Sequence, residues 1–387
     1  MTVSTTTRHR PLLSPRHRAA VRESLAVAAA PFLLARLLVL GALELAHFLV
    51  TNLNVQSQAV IARVNAGLLG WDAAFYRDIA VHGYNAVGHQ SLRFFPLTPL
   101  MARVVGGLPG VGAGAALLVV TNAAALVAGA MAYRLTLSET GDEATARRAV
   151  WILMLSPPAF VLAMGYSEPL LLVTTIGAFM ALRSRNWSSA AVAGLLAGLT
   201  RPVGVLLVLP ATIEAGRGWR RASNRERAAR AGAVIAPLAG CAGYLGWSWL
   251  TEGSFWLPLS EQLTASHRGG IADPFVTIGR DLHYLVDGTH IGSGLHVPWA
   301  IAFVALLVVA FVRLPSCYAW YGAATLAVAF STSNLDSLER YGLGAFVFVL
   351  TAALLTRRER TFWVVLAASA AGLVVYALLA FMNAYVP

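Results

Sequence analysis

Long apolar stretches recur along the whole chain, and they limit its fold more than any other feature. A helix needs about 20 apolar residues to cross a bilayer, because its backbone N–H and C=O groups find no water there. Of the 387 residues, 57% are hydrophobic and 12% are charged, and the mean hydropathy is +0.65. The pattern predicts an all-α, polytopic membrane protein with about eleven transmembrane helices. The predicted spans lie near residues 25–50, 113–133, 149–165, 168–183, 187–200, 202–216, 231–250, 295–313, 316–332, 343–356 and 361–382.

The basic residues predict the orientation of these spans. All 29 are arginines, since the chain contains no lysine, and they are concentrated in alternate loops. Arginines precede the first span and follow the second, fourth, sixth, eighth and tenth. Cytoplasmic loops of membrane proteins carry an excess of positive charge. We therefore expect a cytoplasmic amino terminus, and we expect the carboxyl terminus and the remaining loops to be extracytoplasmic.

This topology predicts three parts. Residues 1–24 form a cytoplasmic tail, residues 25–382 form one transmembrane domain, and residues 383–387 form an extracytoplasmic end. The transmembrane domain includes two long extracytoplasmic loops, 52–112 and 251–294. Abundant alanine without lysine is typical of a GC-rich bacterial genome, so we expect a multi-pass protein of the bacterial inner membrane.

The first extracytoplasmic loop contains the stretch GLLGWDAAFYRDIAVHGY, which is rich in charged and aromatic residues. Residues 71–82 have helical spacing, and Gly83 is typical of a helix end. The stretch therefore predicts an amphipathic helix at the membrane surface. In the simplest interpretation, this helix is only an interfacial anchor, with Trp71 and its other aromatic residues at headgroup level.

The acidic residues of this helix point in different directions. Asp72 and Tyr76 are four residues apart and share a face, whereas Asp78 is rotated by about 120° from Asp72. One carboxylate can therefore point into a cavity while the other pairs locally. We expect Asp78 to be the local partner of Arg77 or His82.

Three further extracytoplasmic turns carry isolated ionisable residues: Glu168 in GYSEP, Arg201 in LTRPVG, and Arg340 beside Tyr341 in LERYGL. Such groups are costly at the outer ends of helices unless they face a water-filled cavity or bind a charged ligand. Arg201 and Arg340 oppose the positive-inside trend, which favours an anionic ligand such as a phosphate. The alternative is that they snorkel to the surface or pair with Glu168 or Glu339.

Several kinds of site are not supported. His283, His290 and His296 lack metal-ligand spacing, and Cys241 and Cys317 lie in separate apolar spans, so neither a metal site nor a disulfide is predicted. The chain has no G-x-x-x-x-G-K-[ST] or G-x-G-x-x-G motif, so no nucleotide cofactor is expected. Cytoplasmic arginines meeting anionic headgroups account for the net charge of +11, and no nucleic-acid partner is expected.

Five motifs occur in a fixed order over about residues 71–345: WDAAFYRDIAVHGY, RFFPLTPL, GYSEPLLL, LTRPVG and LERYGL. In these motifs the chain resembles the PIG-V-like mannosyltransferases of the glycosyltransferase C (GT-C) superfamily. The resemblance implies a GT-C-like catalytic domain that takes a mannosyl or related residue from a polyprenyl-phosphate sugar. The acceptor would be an extracytoplasmic glycolipid, another glycan, a protein or a secreted small molecule, in contact with membrane lipids and without a cofactor.

The resemblance also implies roles for individual residues. Asp72 corresponds to the catalytic acidic residue of the family, acting as the general base of an inverting displacement. Arg201 and Arg340 become candidates for binding the donor phosphate. The other predicted substrate-binding residues are Trp71, Tyr76, Asp78, His82, Glu168 and Tyr341. Two alternatives stay open: a ligase that moves a whole lipid-linked glycan, and a lipid or solute transporter without bond chemistry.

Overall fold

The computed structural model describes residues 15–264 and 268–385, and helices dominate both parts. The α-helices are α1 Pro15–Asn52, α2 Gln58–Ala66, α3 Asp72–His82, α4 Tyr84–Val87, α5 Leu97–Gly106, α6 Ala113–Thr140, α7 Glu143–Leu155, α8 Glu168–Arg183, α9 Trp187–Thr200, α10 Val208–Gly216, α11 Asn224–Glu252, α12 Leu257–Ser260, α13 Pro274–Asp287, α14 Ile291–Gly294, α15 His296–Arg313, α16 Ser316–Phe330, α17 Leu338–Gly344, α18 Val347–Leu355 and α19 Glu359–Phe381. The 3-10 helices are Gly67–Leu69, His89–Arg93, Pro157–Leu162, Pro202–Leu207, Trp219–Arg221 and Glu261–Leu263. The predicted all-α class is confirmed.

The predicted number of eleven spans is not confirmed. Within the described residues, five helices are long and apolar enough to cross a membrane, and α17 with α18 adds a sixth if this pair, bent by 80°, is one span. Other predicted spans are short helices. For example, α9 has 14 residues and rises roughly 21 Å, against a hydrocarbon thickness of about 30 Å. Apolar composition located these segments, but it did not show where each helix breaks.

Small residues bring the helices of the bundle close together. Ala28, Ala35, Ala42 and Ala46 form a buried stripe along α1, which packs against α6, α7 and α19. On α9, a Cβ atom at Gly198 would overlap the carbonyl group of Pro237 in α11. Small side chains let helix backbones approach each other closely. Such packing holds the helices together in a membrane, because lipid tails are as apolar as the side chains and the hydrophobic effect does not drive helices to associate.

The chain between α7 and α8 leaves the α-helical conformation, and polar side chains satisfy its backbone. The Arg36 Nη2 atom donates to the Leu162 carbonyl at 2.7 Å, and the Asn122 Nδ2 atom donates to the Ala163 carbonyl at 3.1 Å. Non-helical backbone at membrane depth is tolerated only when such partners exist. These contacts hold the segment that leads to Tyr166 and Glu168, the GYSEP motif.

The loops predicted to share one membrane side are in contact with one another. Arg183, at the end of α8, pairs with Glu139 of α6 at 2.7 Å and with Glu214 of α10 at 3.3 Å. Both pairs join helix ends that adjoin loops predicted to be cytoplasmic from the arginine distribution. Residues from loop 52–112, the turn at Arg201, loop 251–294 and the turn at Arg340, all predicted to be extracytoplasmic, come together around one cavity. The structure thus separates the two sets, and which set faces the cytoplasm stays a prediction from the positive-inside rule.

Candidate active site

Motifs far apart in the sequence surround one cavity of about 490 Å³. It receives residues from α3, from the turn after α9, from the loop before α13 and from the start of α17. The lining residues are Arg63, Trp71, Asp72, Ala74, Phe75, Tyr76, Gln90, Arg93, Phe94, Arg201, Pro202, Gln262, Arg268, Asp336, Ser337, Arg340 and Tyr341. Five of them are arginines and two are aspartates, so the cavity is strongly cationic.

Helix α3 presents Asp72 to this cavity. The helix spans Asp72–His82 and ends at Gly83, whose φ of +78° suits a residue without a side chain, so the predicted bounds are nearly those observed. Tyr76 lies on the same face and donates to the Ser167 hydroxyl at 2.8 Å. The predicted shared face of Asp72 and Tyr76 is confirmed, and it points into the protein instead of lying on the membrane surface.

The residue before the helix is held in an unusual conformation. Trp71 has a φ of +56°, a region that bulky side chains rarely occupy. Its indole N–H donates to the Ala380 carbonyl at 3.0 Å, and the Arg63 guanidinium stacks on its ring at 3.6 Å. Strained backbone of this kind persists where surrounding contacts enforce it, and it is frequent at functional sites.

A buried carboxylate joins the two arginines that the sequence singled out. Glu168 is 1% exposed, and its Oε1 atom accepts from Arg201 Nη1 and from Arg340 Nε, the latter at 2.7 Å. Arg340 also donates from Nη2 to Asp72 Oδ2 at 2.9 Å. The pairing of both arginines with Glu168, which was the alternative to ligand binding, is therefore observed. Both guanidiniums nevertheless line the cavity.

The charges around Asp72 determine its protonation state. Burial raises the pKa of its carboxyl, but the nearby charges of Arg340, Arg93 and Arg201 lower it by more. The net pKa lies below the ordinary value, so Asp72 is ionised at neutral pH. Its side chain remains 24% exposed. Asp72 is therefore a charged carboxylate within reach of a molecule in the cavity.

Three of the lining arginines, Arg63, Arg93 and Arg268, were not predicted from the sequence as site residues. Arg93 lies over the rings of Phe75 and Phe94 at 5.3 and 4.7 Å, and Arg268 lies over Tyr341 at 4.5 Å. In the part of the chain that the structure describes, the side chains of Arg63, Arg93 and Arg268 form no ion pair with a carboxylate, and the Nε atoms of Arg93 and Arg268 are buried without a hydrogen-bond partner. All three lie in loops predicted to be extracytoplasmic, so the argument that selected Arg201 and Arg340 applies equally to them.

Three of the predicted substrate-binding residues do not line this cavity: Glu168, Asp78 and His82. Glu168 lies behind it, paired with the lining residues Arg201 and Arg340. Asp78 pairs with Arg77 at 2.8 Å, and both side chains are about 40% exposed. This is the predicted local pair. His82 lines a different, mostly apolar cavity of about 530 Å³ near Arg103 and Trp247. Their assignment to substrate binding therefore gains no support from the cavity that contains Asp72.

A second polar cluster borders the cavity through Asp336. The His296 ring lies between two carboxylates, with Nδ1 2.8 Å from Glu339 Oε1 and Nε2 3.5 Å from Asp336 Oδ1. Tyr385 donates to the other oxygen of Glu339 at 2.8 Å. Because Glu339 and Arg340 are adjacent, these contacts position the turn that supplies Arg340.

Within the described residues, no group of three or more His, Cys, Asp or Glu side chains is arranged to hold a metal ion.

Comparison with known families bears on the same residues. Residues 41–209 match the family described as Mannosyltransferase (PIG-V). The resemblance to PIG-V-like mannosyltransferases is therefore confirmed. The matched segment contains Asp72, Arg93, Glu168 and Arg201, and it ends before Arg340. The match supports glycosyltransferase activity in a membrane protein with several apolar helices.

Solved structures add a distant likeness. The chain is similar to an oligosaccharyltransferase of Archaeoglobus fulgidus, solved in a complex with zinc and sulfate, at 14% identity and a TM-score of 0.41. A second structure, in which that enzyme is tethered to an acceptor peptide, gives 12% identity and a TM-score of 0.38. Each alignment covers 76% of this chain, which spans 45% and 48% of the two solved chains. No curated protein sequence matches the chain.

Proposed function

We propose that this protein transfers a mannosyl or related residue from a polyprenyl-phosphate sugar to a hydroxyl group of an acceptor on the extracytoplasmic side of the bacterial inner membrane. One observation carries the proposal: the carboxyl group of Asp72 shares a cavity with five arginines, and most of this cavity is built by motifs typical of the matched family. The carboxylate suits proton removal, and the arginines suit a phosphate.

The reaction would be a single displacement. Asp72 accepts the proton of the acceptor hydroxyl while the hydroxyl oxygen forms a bond to the anomeric carbon. The bond from that carbon to the phosphate oxygen breaks, and polyprenyl phosphate leaves with the bonding electrons. One displacement inverts the configuration of the anomeric carbon. The protein must hold the oxygen, the carbon and the leaving group in line, and positioning of this kind contributes much of the rate.

The arginines would contribute to the reaction in two ways, by binding the leaving phosphate and by tuning Asp72. Arg93 and Arg268 are held by aromatic rings and a backbone carbonyl, so they can contact phosphate oxygens without breaking an ion pair in the described structure. Arg340 contacts Asp72 through Nη2. If a phosphate oxygen accepts the hydrogen bond from Arg340 Nη2 in place of Asp72, the pKa of the Asp72 carboxyl rises and its carboxylate becomes a stronger base.

An apolar groove offers a path for the polyprenyl chain. The groove has a volume of about 460 Å³ and is lined by residues such as Val205, Leu245 and Phe255 between the turn after α9 and α11. Pro202 lines both this groove and the cationic cavity. A phosphate beside Arg201 would therefore leave its isoprenoid chain at the mouth of an apolar surface. The groove does not distinguish among the predicted acceptors: a glycolipid, another glycan, a protein or a secreted small molecule.

A transporter remains the second candidate because of one observation. Arg201 lies at the break after α9, and Arg340 lies in the bent pair of α17 and α18. Charged residues at broken helices are also typical of secondary transporters. Bond cleavage separates the two functions, because a transporter would move the sugar lipid without releasing polyprenyl phosphate.

The decisive experiment supplies labelled polyprenyl-phosphate mannose to membranes from cells that produce the protein. We expect labelled mannose to appear in a new product, identified by mass, together with free polyprenyl phosphate. Alanine in place of Arg201 or Arg340 should weaken donor use more than acceptor use, and lysine should restore it only partly. Movement of intact donor across the membrane without cleavage would favour the transporter. Release of a diphosphate carrier from a lipid-linked glycan, with monosaccharide donor unused, would favour the ligase.

A further inference from the structure

Helix α13, Pro274–Asp287, exposes an apolar ridge that no described residue covers. Phe275, Leu282 and Val286 are 85%, 47% and 79% exposed, and their spacing of seven and four residues puts them on one face of the helix. The opposite face carries Thr277 and Asp281, both buried against the protein. The helix is therefore attached along one side and presents a large apolar surface along another.

The position of α13 in the chain indicates what that surface meets. The helix lies between two candidate membrane spans, Asn224–Glu252 and Gly292–Arg313, so it stands at one face of the membrane. Trp249 and Trp256, at the same end of α11, are 60% and 65% exposed. Tryptophan is enriched where a membrane protein crosses from acyl chains to headgroups. The ridge of α13 is thus close in sequence to residues typical of that level.

One side of the ridge carries polar residues. Arg280, His283 and Asp287 lie on the helix surface between the apolar ridge and the buried face, and His283 Nε2 lies 3.2 Å from Asp287 Oδ2. A helix with an apolar ridge beside a polar strip is suited to lie in the plane of the interface, with its apolar atoms about 5–10 Å into the headgroup and acyl boundary.

We propose that α13 is a membrane-surface helix whose ridge of Phe275, Leu282 and Val286 is immersed in the outer leaflet of the phospholipid bilayer. The proposal does not depend on the chemistry in the cavity. It replaces the interfacial role predicted for helix 71–82, whose apolar face is buried in the protein.

Backbone contacts connect this helix to the cavity. Thr277 donates to the Thr332 carbonyl at 3.4 Å, and Ser333 donates its N–H to the Gly270 carbonyl at 3.0 Å. The segment before α13 supplies Arg268 to the cavity, and the segment after Ser333 supplies Asp336. Immersion of α13 would therefore set the height of the cavity mouth relative to the lipid headgroups.

Site-directed spin labelling tests the proposal directly. Cys241 and Cys317 are buried and would first be replaced by alanine. Phe275→Cys and Val286→Cys would then be labelled in nanodiscs of phosphatidylethanolamine and phosphatidylglycerol, with His283→Cys as the matched control on the polar strip. We expect the labels at 275 and 286 to collide with oxygen and to be shielded from a water-soluble nickel chelate, at a depth of about 5–10 Å. The label at 283 should show the reverse.

Two outcomes would overturn the proposal. If the labels at 275 and 286 collide with the nickel chelate as freely as the label at 283, the ridge faces water. If they are shielded equally in lipid-free detergent and show spin–spin broadening, a second copy of the chain covers the ridge. Should the cysteine-free protein fail to fold, a diazirine-bearing phospholipid can be photolysed with the unmodified protein. Lipid adducts should then map to the peptide containing Phe275 and Val286, and their absence from that peptide while the membrane spans are labelled contradicts immersion.

Discussion

Replacing Asp72 by asparagine separates the charge of this side chain from its packing. Asparagine has nearly the same shape, and its carbonyl oxygen can still accept the hydrogen bond from Arg340 Nη2. Arg340 keeps its second partner, Glu168, at 2.7 Å, so no buried charge is left alone. Because the hydrogen bond to Arg340 is kept and only its charge assistance is lost, the expected cost in stability is about 1 kcal/mol. We therefore expect the Asp72→Asn protein to insert and fold normally.

The effect on turnover should be far larger than the effect on stability. A positioned general base contributes typically about 10²–10⁴-fold to the rate, which corresponds to roughly 2.7–5.5 kcal/mol in activation free energy. Donor binding should be largely retained, because the arginines that line the cavity are unchanged. The assay measures release of polyprenyl phosphate from labelled polyprenyl-phosphate mannose, with thermal unfolding of the same preparations recorded by tryptophan fluorescence.

Asp78→Asn is the matched control for this experiment. Asp78 belongs to the same helix and pairs with Arg77 outside the cavity, so its replacement should leave turnover within a few-fold of the unmodified protein. Turnover of the Asp72→Asn protein at the unmodified rate would refute the assignment of the base. The base would then have to be sought among the other carboxylates at the site, with Asp336 the first to examine, because it also lines the cavity.

Three further predictions concern the charges around Asp72. Arg93→Gln should raise the KM for the donor by about 10-fold or more, because a charge-assisted contact of about 1.5–3 kcal/mol is lost. Arg93→Lys should restore part of the donor affinity. An unchanged KM in steady-state assays would show that Arg93 does not bind the phosphate. Glu168→Ala should lower the free energy of unfolding by about 3–5 kcal/mol, because it leaves two buried guanidiniums without their shared carboxylate; Glu143→Ala, which breaks an exposed pair, should barely move the melting temperature. The pKa of Asp72 lies below its ordinary value of about 3.9. As the pH decreases, kcat/KM of the unmodified protein should therefore not fall until the pH is below that value. Arg340→Gln removes a positive charge and raises the pKa of Asp72, so the acidic limb of its pH profile should move to higher pH. An acidic limb at the same pH in both proteins would show that another group controls it.

Much of the local structure could be predicted from the sequence, because it depends on neighbouring residues. Helical spacing predicted a helix over residues 71–82, and the observed helix spans Asp72–His82 with Gly83 at its end. The same spacing predicted that Asp72 and Tyr76 share a face and that Asp78 points elsewhere. The four positions Asp72, Glu168, Arg201 and Arg340 stood out because isolated charges are rare in an apolar chain.

The number of spans depended on information that composition does not carry. A break in an apolar stretch occurs where side chains from other helices satisfy the freed backbone groups, as Arg36 and Asn122 do for the carbonyls of residues 162 and 163. Those partners lie 126 and 41 residues away in the chain. A window of 20 residues therefore shows that a segment is apolar, but it does not show whether the segment crosses as one helix.

The composition of the cavity was likewise decided by the packing of helices. Asp72 and Arg340 are separated by 268 residues, and their contact exists because α3 and α17 are brought to the same end of the bundle. The sequence indicated that an arginine in a loop predicted to be extracytoplasmic is unusual. However, the residues next to Arg63, Arg93 and Arg268 in the chain did not indicate which groups these arginines contact. Their aromatic neighbours and their access to the cavity come from the tertiary arrangement, since Coulomb interactions and burial depend on distance in space and not on separation along the chain.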